Sequence, residues 1–417
     1  MSAGLDHAVD DAASTLEFDP YDHAIQDDPY PVYARLRREA PLYHNEAHDF
    51  WVLSRHADVA AALRSDGQSG GAYSNAMGVS LDRSAWNPHA HTVMSFLAMD
   101  PPEQTRLRKL VSRGFTPRRV LQLEPRIRRI TDHYLDATLP ASGAADFDWI
   151  GDFAGKVPMD VISEMLGVPP ADRAEVRRLA DLLVMREHGL RDVPPAGIEA
   201  SLQLFEYYRE HVAQRHRRPT DDLTSALIAA EVGGDRMTDD EVVAFLFLMV
   251  VAGNETTTKL LGNAVHHLTA HPRWRDRVFA GETPVEAWIE ETLRYDTSTQ
   301  LVARHLVQDV TLHGVTAPAG AALLFALGSA NRDEAVFPDP DTFDLDRPKD
   351  QLAQILSFGG GRHFCLGSSL ARLEARVALA EIVRRVRAIE VDRAACVRFY
   401  SANVRGFARV PVRVEVR

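Results

Sequence analysis

One stretch limits the architecture more than any other. Thr238-Asp239-Asp240-Glu241 has the Thr-x-x-Glu spacing of a capping box, and the next proline is Pro272. Between them the spacing predicts a single helix of about 32 residues, about 48 Å long, enough to cross a whole molecule. Its first half is apolar nearly all round, which requires burial. The longest apolar run, 244–252, falls short of the ~18 residues of a membrane span. In mid-helix stands Ala252-Gly253-Asn254-Glu255-Thr256-Thr257. A carboxylate inside a buried helix is costly without a task or a partner. Ala252 and Gly253 leave space, and a threonine hydroxyl can bond a carbonyl one turn back and loosen the ladder. Small residues, an acid and an alcohol together describe a cavity where a diatomic molecule can sit and receive protons. The plain alternative is a stray polar turn.

The second feature is Phe358-Gly359-Gly360-Gly361-Arg362-His363-Phe364-Cys365-Leu366-Gly367. Leu370, Leu373, Val377, Leu379, Ile382 and Val386 then recur at helical spacing, so Cys365 sits at or just before a helix start. Exposed N–H groups and the helix dipole there favour a thiolate, and glycines upstream let the backbone aim further donors at the sulfur. Such a sulfur suits a metal. Other readings of the stretch are a buried structural cysteine, a phosphate loop, a zinc site and a cysteine nucleophile. The phosphate loop lacks Gly-Lys-Ser/Thr, and zinc would find only His363 close by. A single axial thiolate on heme iron fits the ten positions best.

A third, weaker signal is Glu291 with Arg294 three residues on, able to pair on one helical face; Arg347 could complete a buried network. The remaining chain reads as mostly helical with small sheet pieces. Helices are predicted at 29–39, 57–64, 102–114, 125–139, 157–166, 171–185 and 197–216, with a break at Asp192-Val193-Pro194-Pro195. Strands are predicted at 50–53, 310–312, 322–325 and 410–416, and a long loop at 67–88. Residues 1–15 read as an acidic disordered tail and 16–417 as one catalytic domain.

The two cysteines, Cys365 and Cys396, argue for a reducing compartment without disulfides, with Cys396 a core or strand residue. No signal-peptide succession opens the chain, so a cytoplasmic location is expected. A net charge of −12 argues against nucleic acid. Within 104–129, however, nine residues are basic and only Glu124 is acidic. That run is either a solvated helical face or a docking patch for an acidic protein.

In order and spacing, the three motifs resemble the cytochrome P-450 family of heme-thiolate monooxygenases, over essentially the whole length after the tail. The resemblance implies a mainly α cytochrome P-450 fold: a large helical part, a small β-rich lobe, and heme b (iron protoporphyrin IX) between two long helices. It implies that Cys365 is the iron ligand, that His363, Arg108 and Arg304 bind the propionates, and that Phe358 shields the thiolate. Gly359 belongs to the heme loop, and Leu366, Gly367, Ala371, Ala252 and Gly253 would line the porphyrin. Glu255 and Thr256 would be catalytic, delivering protons. Glu291, Arg294 and Arg347 match a structural triad. Two positions depart from the family pattern. Gln104 stands where histidine is usual, so its propionate contact carries no charge, and Glu255 stands where aspartate is commoner, one methylene longer and expected to rotate outward.

The implied reaction inserts one oxygen atom of O2 into a C–H bond of a lipophilic small molecule. Terpenoid, steroid, macrolide and fatty acid all fit, with a slight preference for a steroid or bulky terpenoid. Electrons would come from NAD(P)H through a reductase and an acidic ferredoxin docked on the basic run with Arg362, Arg372 and Arg376. The pocket would draw on 67–96, 182–204, 245–252, 297–302 and 399–404, including Met77, Val79, Trp86, Leu248, Val251, Leu301 and Val302. A heme-thiolate peroxygenase, or a non-catalytic heme-binding sensor or carrier, are the alternatives; the Glu255–Thr256 pair argues against the first.

Overall fold

The computed structural model describes residues 16–65, 71–81, 86–184 and 194–417. The acidic tail, parts of the 67–88 loop and most of the break after residue 184 lie outside the described residues.

The long helix spans Asp239–Ala270, 32 residues. Its start is the capping box read from the sequence. Thr238 accepts from the Glu241 N–H, and the Glu241 carboxylate accepts from the Thr238 N–H at 2.9 Å. His271 caps the other end, and Pro272 begins the next helix. Helices Val157–Leu166, Pro195–Arg217, Val285–Tyr295 and Ser368–Arg385 pack around it. By length and composition it could cross a membrane, but most of its apolar surface is buried within the molecule. Two tryptophans fasten it sideways, the Trp149 indole donating to the Leu261 carbonyl at 3.1 Å and the Trp288 indole to the Ala264 carbonyl at 2.9 Å.

The β-rich part is small. Its largest sheet has five strands in the order Leu42–Asn45, Phe50–Leu53, Ala322–Ala326, Leu301–Leu306, Tyr73–Ser74. Only Phe50–Leu53 and Ala322–Ala326 run parallel. These two central strands are buried along their whole length, which explains why they read as apolar runs. A second sheet joins Val386–Val391, Pro411–Val416 and Ala144–Asp148.

The helices expected from periodicity are present, with ends shifted by a few residues. Strands Leu42–Asn45, Ala144–Asp148, Leu301–Leu306, Val386–Val391 and Gly406–Arg409 are among those not expected. Ala144–Asp148 and Leu42–Asn45 each carry too few apolar residues to stand out, because they pair at sheet edges. Val386 was expected to close a helix; instead the helix ends at Arg385 and Val386 opens a strand paired with Val416. Cys396 is half-buried and packs against the main core, at a turn between a short helix and strand Val397–Phe399 rather than in a strand, with Sγ 3.4 Å from the Asp392 carbonyl.

Candidate active site

The cysteine loop is shaped by its glycines. Gly359 and Gly361 adopt φ of +68° and +59°, which side-chained residues rarely take. A Cβ on Gly361 would lie 2.0 Å from the Leu63 carbonyl, so the loop presses against helix His56–Ser65 with no space for a larger residue. The Cys365 N–H donates to the Phe358 carbonyl at 2.9 Å, closing the loop on itself. Arg372 then lies over the Phe358 ring, 4.5 Å from its centre.

Helix Ser368–Arg385 begins three residues after Cys365, and the Gly367 and Ser368 N–H groups approach the sulfur. The donors expected from sequence are therefore in place. Burial nevertheless pushes the Cys365 thiol above its ordinary value, against those N–H groups and the cations of Arg108 and Arg372. A metal cation displaces a thiol proton outright, so a crowded sulfur of this kind suits iron. The side chain is accessible although its surroundings are dense, as expected of a group at the base of a recess.

Helix Glu103–Ser112 braces the loop from the other side. Gln104 is buried, and its amide donates to the Arg362 carbonyl at 2.8 Å. That amide nitrogen is thereby engaged within the protein, fixing the cysteine loop to the helix. Arg108 donates to the Phe364 carbonyl at 2.5 Å. Beside them, both ring nitrogens of His363 are buried without a hydrogen-bond partner of ordinary geometry, only an approach to the Met99 backbone. Burial, then Arg304 and Arg108, push His363 down to about 3 against the pull of Asp100. Arg304 is buried in strand Leu301–Leu306 and lies over the Phe325 ring. An imidazole beside two guanidinium groups is a donor-rich, cationic corner, and the carboxylates of a porphyrin fit it.

On the long helix, Ala252 is exposed and Val251, Gly253, Glu255 and Thr256 are half-buried, although Val250, Asn254 and Thr257 are buried. The Thr256 hydroxyl donates to the Ala252 carbonyl at 3.1 Å, the back-bond expected from sequence. The missing Cβ of Gly253 has another role than the expected one. Built there, it would lie 2.1 Å from Ile162 Cδ1, so the glycine lets two helices touch. Glu255 lies 3.0 Å from Lys259, one turn on, and its Oε2 has no aligned hydrogen-bond donor. Lys259 was missed from sequence, although its i,i+4 spacing from Glu255 is an ion-pair signal.

The Glu291–Arg294–Arg347 network forms as read. Arg294 donates to both Glu291 oxygens at 2.7 and 2.9 Å, and Arg347 to Oε2 at 3.0 Å. Leu366, Gly367, Ala371 and Phe358 are half-buried around the cysteine. Among the pocket residues, Leu248 and Leu301 are buried, Leu301 in the small-lobe core with Phe18 and Tyr33 rather than facing a pocket. Met77, Val79, Trp86, Val251 and Val302 are half-buried, and residues 66–70, 82–85 and 185–193 lie outside the described residues. The basic run is partly neutralised. Arg106, Arg126, Arg128, Arg129, Arg372 and Arg376 all pair with carboxylates. Lys109, Arg113, Arg118 and Arg119 are exposed.

A fold of long helices with a small β-rich lobe, and a cysteine loop set in such a recess, is the build of a heme-thiolate protein. The family model for cytochrome P450 matches residues 196–280 and 284–411. A putative cytochrome P450 123 of Mycobacterium tuberculosis is 52% identical over 402 residues, 96% of this chain and 98% of the relative. The vitamin D(3) 25-hydroxylase of Pseudonocardia autotrophica is 37% identical over 97% of this chain and 98% of its own. Among solved structures, CYP109E1 from Bacillus megaterium in complex with testosterone is 30% identical, with TM-score 0.81 over 93% of this chain and 99% of that one. The chain belongs to the cytochrome P450 family. It is a monooxygenase, and its cofactor is heme b.

Proposed function

We propose that this P450 inserts one oxygen atom of O2 into a C–H bond of a lipophilic molecule of steroid-like bulk. Its electrons come from NAD(P)H through a reductase and an acidic ferredoxin, in the cytoplasm. Support for the substrate class comes from a relative named a vitamin D(3) 25-hydroxylase and a neighbour solved with testosterone. The relay through ferredoxin is supported by the exposed cations Lys109, Arg113, Arg118 and Arg119 on the cysteine-loop side.

The residue roles are part of the proposal. Cys365 ligates the iron, with the Gly367 and Ser368 N–H groups easing the charge on sulfur. His363, Arg304 and Arg108 receive the propionates. Gln104 serves the site by clamping the Arg362 carbonyl. Ala252, Leu366, Gly367 and Ala371 present small or apolar surface to the porphyrin, and Gly253 lets the long helix reach its position. Glu255 and Thr256 hold and pass protons. When bound, the heme supplies oxygen activation, with the thiolate favouring O–O cleavage.

The observation that carries this reading is the cysteine loop with its buried His363 ring nitrogens, neither of which has a hydrogen-bond partner of ordinary geometry. The reduced protein under carbon monoxide should show the red-displaced Soret band of thiolate-ligated iron, and Cys365→Ala should abolish it. A band that survives the substitution overturns the ligand assignment. Product formed with ferredoxin, reductase and NADPH, but not with hydrogen peroxide alone, separates monooxygenase from peroxygenase. A sensor or carrier yields no product with either. Spin-state shifts across a panel of steroids, terpenoids, macrolides and fatty acids test the substrate class.

A further inference from the structure

We propose that Lys259 is a positioning residue for proton delivery: its buried ammonium group holds Glu255 Oε2 and turns the carboxylate along the helix, leaving the other oxygen to exchange protons. The inference rests on the reading of Glu255 and Thr256 as the proton-delivering pair.

A wholly buried lysine in the middle of a core helix requires a reason, because desolvating an ammonium group is costly unless it is paired. Lys259 is 3% exposed. Its ammonium donates to the Phe407 carbonyl at 3.1 Å and lies 3.9 Å from the centre of the Phe399 ring. Glu255 Oε2 is 3.0 Å away. The C-terminal hairpin is shaped to admit the stem, since a Cβ on Gly406 would meet three Lys259 carbons at 2.6–2.9 Å. The lysine is therefore built in from two elements, the long helix and strand Gly406–Arg409.

The geometry of the pair has a specific consequence. The Lys259 ammonium lies 3.0 Å from Oε2, out of line for an ordinary hydrogen bond, so it anchors that one oxygen and leaves Oε1 to face other groups. Thr256 does not compete, because its hydroxyl is turned back to the Ala252 carbonyl. From helix Arg173–Val184, Asp181 lies close enough to feel the charges of Glu255, Arg177 and Lys259. Arg177 is engaged by Asp160 and Tyr134. Asp181 is pushed up to about 6, by burial first and the Glu255 charge second, against Arg177 and Lys259. An acid that exchanges protons near neutrality, its side chain exposed, thus lies within electrostatic reach of Glu255. The proposed path runs from Asp181 to Glu255 to Thr256, with Lys259 holding its middle member in position.

The test follows the protonated-carboxyl stretch by difference infrared spectroscopy on the heme-loaded enzyme, from about pH 4 to about pH 9. Glu255→Gln identifies the band. Lys259→Met keeps the volume and removes the charge, and it should shift that band in frequency and broaden it, because the carboxyl loses its anchor. Lys259→Arg should restore it. In parallel, hydrogen peroxide released per NADPH consumed should rise several-fold in K259M, approaching E255Q, and stay near the parent value in K259R. An unmoved band in K259M overturns the assignment to Lys259. Unchanged peroxide release in E255Q overturns the proton-delivery reading instead, independently of the lysine.

Discussion

Glu291 and Glu255 are both carboxylates withdrawn from water on helices of the same core, and they are treated in opposite ways. Glu291 receives two bonds from Arg294, one from Arg347, and one from the Asp344 N–H at 2.9 Å. The guanidinium groups spend their other donors on the carbonyls of Asn331, Pro338, Pro340 and Thr342. No lone pair of consequence is left over, so the site can only hold structure. Glu255 has one close cation and an oxygen with no aligned donor. A satisfied acid is a fastener, and an unsatisfied one is free to move protons. The difference lies in the count of donors, not in the residue type.

The comparison is most exposed to a direct deletion. Glu291→Ala strands two buried guanidinium groups and should cost about 3–5 kcal/mol in chemical denaturation, with heme incorporation falling in step. Glu255→Gln leaves the buried Lys259 ammonium with the Phe407 carbonyl and an amide oxygen, and should cost about 1–2 kcal/mol, clearly less than Glu291→Ala. Comparable losses from the two substitutions would end the contrast.

Next in size is Gly253→Ala, whose added methyl meets Ile162. It should cost about 1–3 kcal/mol by thermal unfolding, and much of this should return in the Gly253→Ala, Ile162→Val double variant. A loss that Ile162→Val leaves untouched would move the reason for the glycine away from helix contact.

A smaller effect concerns His266, which extends the contrast to a neutral group. Burial, with His267, Arg393 and Arg398, holds it at about 3 in the folded chain, while Asp296 pulls upward. Below about pH 6.5 the unfolded chain takes up a proton there that the folded chain refuses, so this group contributes a loss of stability as pH falls toward about 3. Denaturation midpoints should therefore decline over that window, and His266→Gln should make the decline shallower. Buried Asp296, held well below the usual carboxylate range, adds a loss of the same sign, so part of the slope should persist.

Arg119→Glu should leave stability unchanged, the side chain being exposed and without an ion pair among the described residues. It should slow reduction by ferredoxin at low salt, with the difference fading as salt rises. Equal rates at all salt concentrations would separate the basic run from electron transfer.

The long helix and its capping box, the cysteine loop opening a helix, and the Glu291–Arg294 pair could all be read along the chain, because each depends on residues within a few turns of one another. The Thr256 back-bond was legible for the same reason. Edge strands such as Ala144–Asp148 were not, since their stability comes from Pro411–Val416, far away in sequence. Nor were the clamp from Gln104 to the Arg362 carbonyl, the closeness of Gly253 to Ile162, or the room that Gly406 makes for Lys259. What local spacing determined was which groups carry the chemistry. Only the packed structure decided which remained short of a partner, because a donor count is completed by neighbours brought from elsewhere in the chain.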